Sequence, residues 1–260
     1  MSLDKKGRVK GGTTVTEIAN KVAVVTGAAS GIGRALSLAM AKKGARALVL
    51  TDVNREGLAE TAKAAEAEGA KARTLLLDVS DKDAFYNFAD SVAQEFGGAD
   101  IVINNAGVAQ VSAVEELNYD DFHWVMNIDF WGMVYGTKDF LPQLQQKGAG
   151  HIVNVSSLFG LIAAPRQAAY NAAKFAIRGF TEALAHEMDG TEIKVSSVHP
   201  GGIKTNIVRN ARFLQGATTA ERTEAASRFD QIARTTPEKA AEVILNGITK
   251  NKRRIVIGTD

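Results

Sequence analysis

The run Val22-Ala23-Val24-Val25 is short, apolar and mostly β-branched, and it breaks at Thr26-Gly27-Ala28-Ala29-Ser30-Gly31-Ile32-Gly33. Such a run reads as a strand buried on both faces. The segment Arg34 to Lys43 that follows is rich in Ala, Leu and Met, which favour helix. A second buried run, Ala47-Leu48-Val49-Leu50-Thr51, then closes at Asp52. Strand, glycine turn, helix and strand make a βαβ unit, which commits the chain to a parallel sheet covered by helices. The same order suits a pyrophosphate. Glycine lets backbone N–H groups approach phosphate oxygens, and a helix N-terminus adds its dipole. Gly27, Ser30, Gly31, Ile32 and Gly33 are therefore candidate cofactor-binding residues.

Asp52, about twenty residues beyond the glycines, is placed to accept hydrogen bonds from the ribose hydroxyls of an adenosine. A 2′-phosphate would be repelled there, so the chain points to NAD in preference to NADP. NADP would require a basic residue just after Asp52 or before Gly31, where the sequence has Val53 and Ser30. Arg34 and Arg55 are the nearby cations that stand against this, with solvated surface as the competing role for each.

Alternation of apolar runs with helical segments continues, predicting strands over about 22–26, 47–52, 73–78, 100–104, 150–156, 193–199 and 253–257. A chain of 260 residues can bury a sizeable core as one α/β domain. Asp78-Val79 closes the third run and Asn105-Ala106-Gly107 the fourth, at the sheet edge where open α/β folds bind ligands. Formal net charge is +2 with acids and bases interspersed, which leaves no electrostatic footprint for nucleic acid or an anionic membrane. The absence of cysteine excludes disulfides and thiolate chemistry, and the scattered His123, His151, His186 and His199 suggest no metal site. Residues 1 to about 19 are polar and glycine-containing and lack a signal peptide's apolar stretch, which predicts a flexible arm ahead of a domain over 20–260. No run approaches the ~20 apolar residues of a spanning helix, so the expected location is the cytoplasm.

Two features lie beyond the fold. Tyr170 and Lys174 are four apart, and on a helix they share a face, so the ammonium can favour the ionised phenol. A phenol titrates near ~10, and a neighbouring cation is what acid/base work at neutral pH would require. The other is a helix from about 120 to 145. Between Phe122 and Tyr135 only His123, Asn127, Asp129 and Gly132 are not apolar, and these four form no continuous polar face. Such a helix is expected to be buried twice, on the sheet and, through some of Trp124, Ile128, Trp131 and Tyr135, against another subunit.

Spacing Gly27-x-x-x-Gly31-x-Gly33 with a later Tyr170-x-x-x-Lys174 resembles the classical short-chain dehydrogenase/reductase family. Asn104-Asn105-Ala106-Gly107 matches its N-N-A-G, Ile152 to Ser157 matches the segment that carries its serine, and Pro200-Gly201 with Thr205 matches its P-G-x-x-x-T. Motifs in family order run from about 21 to 257. The resemblance implies a single-domain Rossmann fold, a doubly wound seven-stranded parallel sheet with helices on both faces. It implies Tyr170 as general acid/base, Lys174 as its modulator and ribose ligand, Ser157 as the substrate-oxygen donor and Asn127 as the holder of a relay water. Cofactor contacts would come from the glycine turn, Asp52, Asp78, Val79, Asn105, Ala106, Gly107, Tyr170, Lys174, Pro200, Gly201, Ile203 and Thr205. Family members commonly pair the 120–145 helix and the next one across a two-fold axis, so a homodimer or homotetramer is expected.

Substrate is less legible. Ser157, Leu158, Tyr170 and Gly201 are candidate contacts. Leu158 to Ile162, with Ile203, Ile207, Val208, Phe213 and Leu214, either line a pocket for an apolar alcohol or ketone or simply pack. Residues 203–235 read as a substrate lid hinged at Gly201-Gly202. The expected activity is hydride transfer between NAD(H) and a secondary alcohol or ketone. The alternatives are an NADPH-dependent carbonyl reductase of the same family and a non-catalytic dinucleotide sensor. A nucleotide-sugar epimerase would need a larger substrate domain.

Overall fold

The computed structural model describes residues 15–213 and 217–258. Seven parallel strands form the central sheet: β1 (Val22–Thr26), β2 (Ala47–Asp52), β3 (Lys71–Leu76), β4 (Ile101–Asn104), β6 (Gly150–Val155), β7 (Ile193–Pro200) and β9 (Arg254–Ile257). Their order is β3-β2-β1-β4-β6-β7-β9. β1 is hydrogen-bonded to both β2 and β4, with Val24 opposite Val49 on one side and Val102 on the other. The chain therefore winds outward from β1 to β3 and returns across β1 to β4. That reversal, at the carboxyl ends of β1 and β4, is the switch point at which open α/β sheets bind their ligands.

Every residue of β1 and β4 is buried, as their uninterrupted apolar runs demand. One face is covered by α1 (Gly31–Lys42), α2 (Arg55–Ala67) and α8 (Pro237–Thr249), whose Leu36, Met40, Leu58, Ile244 and Ile248 share a cluster with Leu48 and Ile103. The other carries α3 (Lys82–Phe96), α5 (Gly132–Lys147) and α6 (Ala168–Glu187). Phe85, Phe88 and Phe140 meet edge-to-face in its centre at centroid separations of 5.6–6.4 Å, a geometry their ring quadrupoles favour.

The helices begin where side chains can cap them. Asn54 accepts from Gly57 N–H, Asp81 from Ala84 N–H and Thr236 from Lys239 N–H. α3 ends at Gly97, whose φ of +71° is the left-handed conformation glycine takes most easily.

Three details differ from the sequence expectation. The third strand runs over 71–76 rather than 73–78, because it is the sheet's edge and its exposed Lys71, Thr74 and Leu76 break the apolar run that marks the others. The expected 120–145 helix is α4 (Tyr119–Val125), a π-helical turn (Met126–Trp131) and α5. The 15–19 end of the expected free arm is docked: Ile18 is buried, and the Thr16 hydroxyl hydrogen-bonds His151. Two-residue strands, β5 (Gln110–Val111) and β8 (Arg212–Phe213), pair in parallel outside the main sheet. They tie the 203–235 segment, including α7 (Thr219–Ile232), to the loop after β4. Leu214 lies outside the described residues. Among these, no helix is long and apolar enough to cross a membrane.

Candidate active site

The glycine turn is held open by close backbone approach. Gly27 has φ +66°, and a Cβ there would lie 2.9 Å from both Ala106 Cα and Asn105 Nδ2. At Gly33 a Cβ would lie 2.1 Å from the Gly27 carbonyl oxygen, so only glycine lets α1 start against the turn. A Cβ at Gly31 would meet the Thr205 methyl at 3.1 Å, which brings the second and the last of the expected cofactor motifs together. Thr26, which the motif reading passed over, fastens the turn to the next loop: its hydroxyl accepts from Asn105 N–H and Ala106 N–H, each at 3.0 Å. Asn105 returns the tie through Nδ2 to the Thr26 carbonyl.

α1 has Ser30 at its N-cap with no side-chain cap, and no acidic residue in its first turn. Its first N–H groups are thus left to an anion. Asp52 closes this cradle from β2, with Oδ2 accepting from Ala29 N–H and Oδ1 from Asn54 N–H, both at 2.9 Å. The turn, the uncapped helix and the carboxylate fit a nicotinamide dinucleotide. Arg34 turns away from it, donating to the Ala29 and Gly57 carbonyls, to Thr61 and to Glu60. Arg55 opens α2 at the exposed surface. Asp78 is exposed and binds Ser80, while Val79 is buried against Gly132, where a Cβ would stand 2.7 Å from it. Pro200 ends β7, Gly201 donates to the Ile257 carbonyl, and Ile203 is buried in the main core rather than in a pocket.

Ser157 closes the segment after β6, and its hydroxyl accepts from Phe159 N–H at 3.1 Å. Behind it the buried His199 bonds the Ser157 carbonyl through Nδ1 and Ser197 through Nε2. α6 brings Tyr170 and Lys174 onto one face, with Nζ 5.3 Å from the phenol ring centre. Both are buried. Around the phenol pack Ala109, Val111, Phe159, Ile207, Ala211 and Phe213, so the apolar residues on either side of the site do converge. Ile162 does not join them and is exposed.

Asn127 is exposed and outside this cluster. Two residues on, Asp129 occupies the place expected of it: Oδ2 is 3.0 Å from Lys174 Nζ, and Oδ1 accepts from Val108 N–H at 2.8 Å. The π turn re-aims this stretch of helix relative to a regular 3.6-residue winding, and periodicity gave no sign of it. The available signal was a carboxylate inside a twice-buried apolar helix, which must find a partner. Lys174 also reaches the Val155 carbonyl at 3.3 Å.

The phenol differs from expectation as well. Burial holds Tyr170 above the usual phenol range, and although Lys174 and the Ser157 hydroxyl pull it down, Asp129 pushes it up again. Burial works against both charges of the Lys174–Asp129 pair. At Lys174 it is outweighed by the Asp129 carboxylate and the Tyr170 phenol, which hold the ammonium above its ordinary value. At Asp129 the Lys174 ammonium and the Val108 N–H offset it only in part, and the carboxyl stays above the usual range. Gly107 completes the wall, since a Cβ there would lie 3.2 Å from both Asp129 Oδ2 and Lys174 Nζ. The loop 105–107 thus touches the glycine turn at one end and the Tyr170–Lys174 pair at the other.

This fold and site define a Rossmann-type oxidoreductase. The family model for short chain dehydrogenases matches residues 21–214. A putative oxidoreductase SadH of Mycobacterium tuberculosis is 49% identical over 243 residues, 92% of this chain and 87% of that protein. The 3-oxoacyl-[acyl-carrier-protein] reductase FabG of Thermotoga maritima is 33% identical, over 86% of this chain and 89% of its own. A short-chain dehydrogenase/reductase from Burkholderia phymatum, solved in complex with NAD, superposes with a TM-score of 0.85 at 31% identity, covering 93% of this chain and 90% of that one. The chain belongs to the short-chain dehydrogenase/reductase family.

Proposed function

We propose that the chain interconverts a secondary alcohol and a ketone of apolar character, using NAD(H) in preference to NADP(H), with Tyr170 as the acid/base. The observation that carries this reading is that Tyr170 has Lys174 on one side and the Ser157 hydroxyl in hydrogen-bond contact, with residues 105–107 reaching from Lys174 to the glycine turn. A bound nicotinamide would supply the hydride acceptor or donor. The protein's part is to place the substrate oxygen between the Ser157 hydroxyl and the Tyr170 phenol, where Ser157 hydrogen-bonds the charge developing on that oxygen. Tyr170 gives its proton to the oxygen in reduction and takes it in oxidation. Lys174, with two contacts spent on Asp129 and the Val155 carbonyl, would have its remaining donor capacity for the phenol and the ribose of a bound cofactor.

Preference for NAD is supported by Asp52, which two backbone N–H groups hold beside the turn, and by the engagement of Arg34 elsewhere. An apolar substrate is supported by Phe159, Ile207 and Phe213 around the phenol. The test is a panel of secondary alcohols, steroids, sugars and acyl ketones run with both cofactors, on the wild type and Tyr170→Phe. Turnover with an apolar substrate and NAD(H), lost in the variant while NAD still binds, is expected. Retained turnover in Tyr170→Phe would remove the assignment, and turnover with NADP(H) alone would reverse the cofactor preference.

A further inference from the structure

The proton transfer just described makes no use of Asp129, and a carboxylate withdrawn this far from water needs an account. Asp129 is 1% exposed, and the partner that compensates it is Lys174, itself buried to 4% of its side chain and 3.0 Å away. Removing either charge would strand the other, so the two form a fixed pair. Three separate parts of the chain build it: the π turn (Met126–Trp131), α6, and the loop whose Val108 N–H binds the second carboxylate oxygen.

A lone ammonium beside a phenol stabilises phenolate. An ammonium already matched by a carboxylate does so much less, because at the phenol the two fields largely cancel. We propose that Asp129 is a positioning residue that binds the Lys174 ammonium as an ion pair, so that the resting site carries a protonated Tyr170 and is loaded to reduce a carbonyl. This rests on the acid/base reading of Tyr170. In the loaded direction the phenol O–H bond breaks as the substrate O–H bond forms, and the electron pair of the new C–H bond comes from the reduced nicotinamide. Solvent water then reprotonates the tyrosinate. The groups that act on the phenol oppose one another: burial, the largest, and Asp129 disfavour its ionisation, while Lys174 on the same helix and Ser157 from the end of β6 favour it, and the balance is upward.

The test is Asp129→Asn, which keeps the shape and removes the charge. Two quantities are read against pH on the full-length enzyme: tyrosinate absorbance, as the difference from Tyr170→Phe, and the alkaline limb of ketone reduction. Loss of one nearby negative charge should move the first proton lost from the Tyr170–Lys174 pair down by about one pH unit or more. A titration and a limb that both stay where they are in the wild type overturn the proposal. Should Asp129→Asn fail to fold, the wild-type difference titration decides alone. A Tyr170 midpoint above the free phenol's ~10 supports the proposal, and one below it overturns it. Retained turnover in Tyr170→Phe would instead sink the acid/base reading, and the titration would still be readable.

Discussion

Acidification should unfold this protein through His151, far from the active site. His151 opens the inner part of β6 and is fully buried. Its Nε2 lies 2.8 Å from the Ser196 hydroxyl, which passes its own proton to the Lys252 carbonyl at 2.6 Å and so must accept from the imidazole. Nδ1 lies 2.9 Å from Thr16 Oγ1, which in turn donates to Asn251 Oδ1 at 2.6 Å. Burial, with a smaller push from Lys194, lowers the imidazole to about 3. The folded value lies below the unfolded one, so unfolded chains take up the proton first. The stability His151 contributes is complete above about pH 6.5 and drains away as pH falls toward 3. At about pH 5 the deficit is one and a half units, or roughly 2 kcal/mol, a large part of a typical domain's margin. Urea unfolding at fixed protein concentration, at neutral pH and at about pH 5, would read it for the wild type and for His151→Gln, which keeps polar atoms but cannot titrate. The wild type should lose about 2 kcal/mol more than the variant over that interval. Parallel losses in the two proteins would refute the reasoning.

Other consequences are as direct. Asp52→Ala removes the carboxylate beside the turn; NAD affinity should fall about tenfold, the worth of one charged hydrogen bond, and discrimination against NADP should shrink in paired titrations. Gly33→Ala forces a Cβ to within 2.1 Å of the Gly27 oxygen, so stability should drop by about 1–3 kcal/mol in chemical unfolding and dinucleotide binding should weaken with it; unchanged binding would show the cradle to be elsewhere. Phe140→Ala empties the centre of the Phe85–Phe88–Phe140 cluster and should cost about 3–5 kcal/mol by the same assay. Trp131, 44% exposed and stacked on Tyr135, and Phe175, 41% exposed on α6, offer an apolar face to a second copy; light scattering should find an oligomer that Trp131→Glu dissociates, and a wild-type monomer would end that reading.

How far the sequence reached can be followed strand by strand. β1, β2, β4, β6 and β7 announced themselves because strands buried on both faces have no polar alternation to confuse with helix. β3 was misplaced by two residues because an edge strand faces water. β5 and β8 were invisible, since a two-residue strand exists only through its partner a hundred positions away. The close approach of the glycine turn to residues 105–106 and the shared helix face of Tyr170 and Lys174 were legible from order and spacing, and Ser157 only from the family resemblance. Asn127 was expected near Lys174, but the residue that meets the ammonium is Asp129, on a π-helical turn that leaves no trace in the apolar pattern.

Composition and spacing alone thus indicated the parallel architecture, the tight glycine turn and the tyrosine–lysine helix face. Each depends on residues close in sequence or on strictly local sterics. Folding decided which carboxylate meets Lys174, where Arg34 spends its charge, and that the phenol is harder to ionise than its neighbour lysine suggests. Those outcomes turn on burial and on charges brought together from distant segments, and electrostatic energy depends on distance and dielectric, which only the assembled molecule sets.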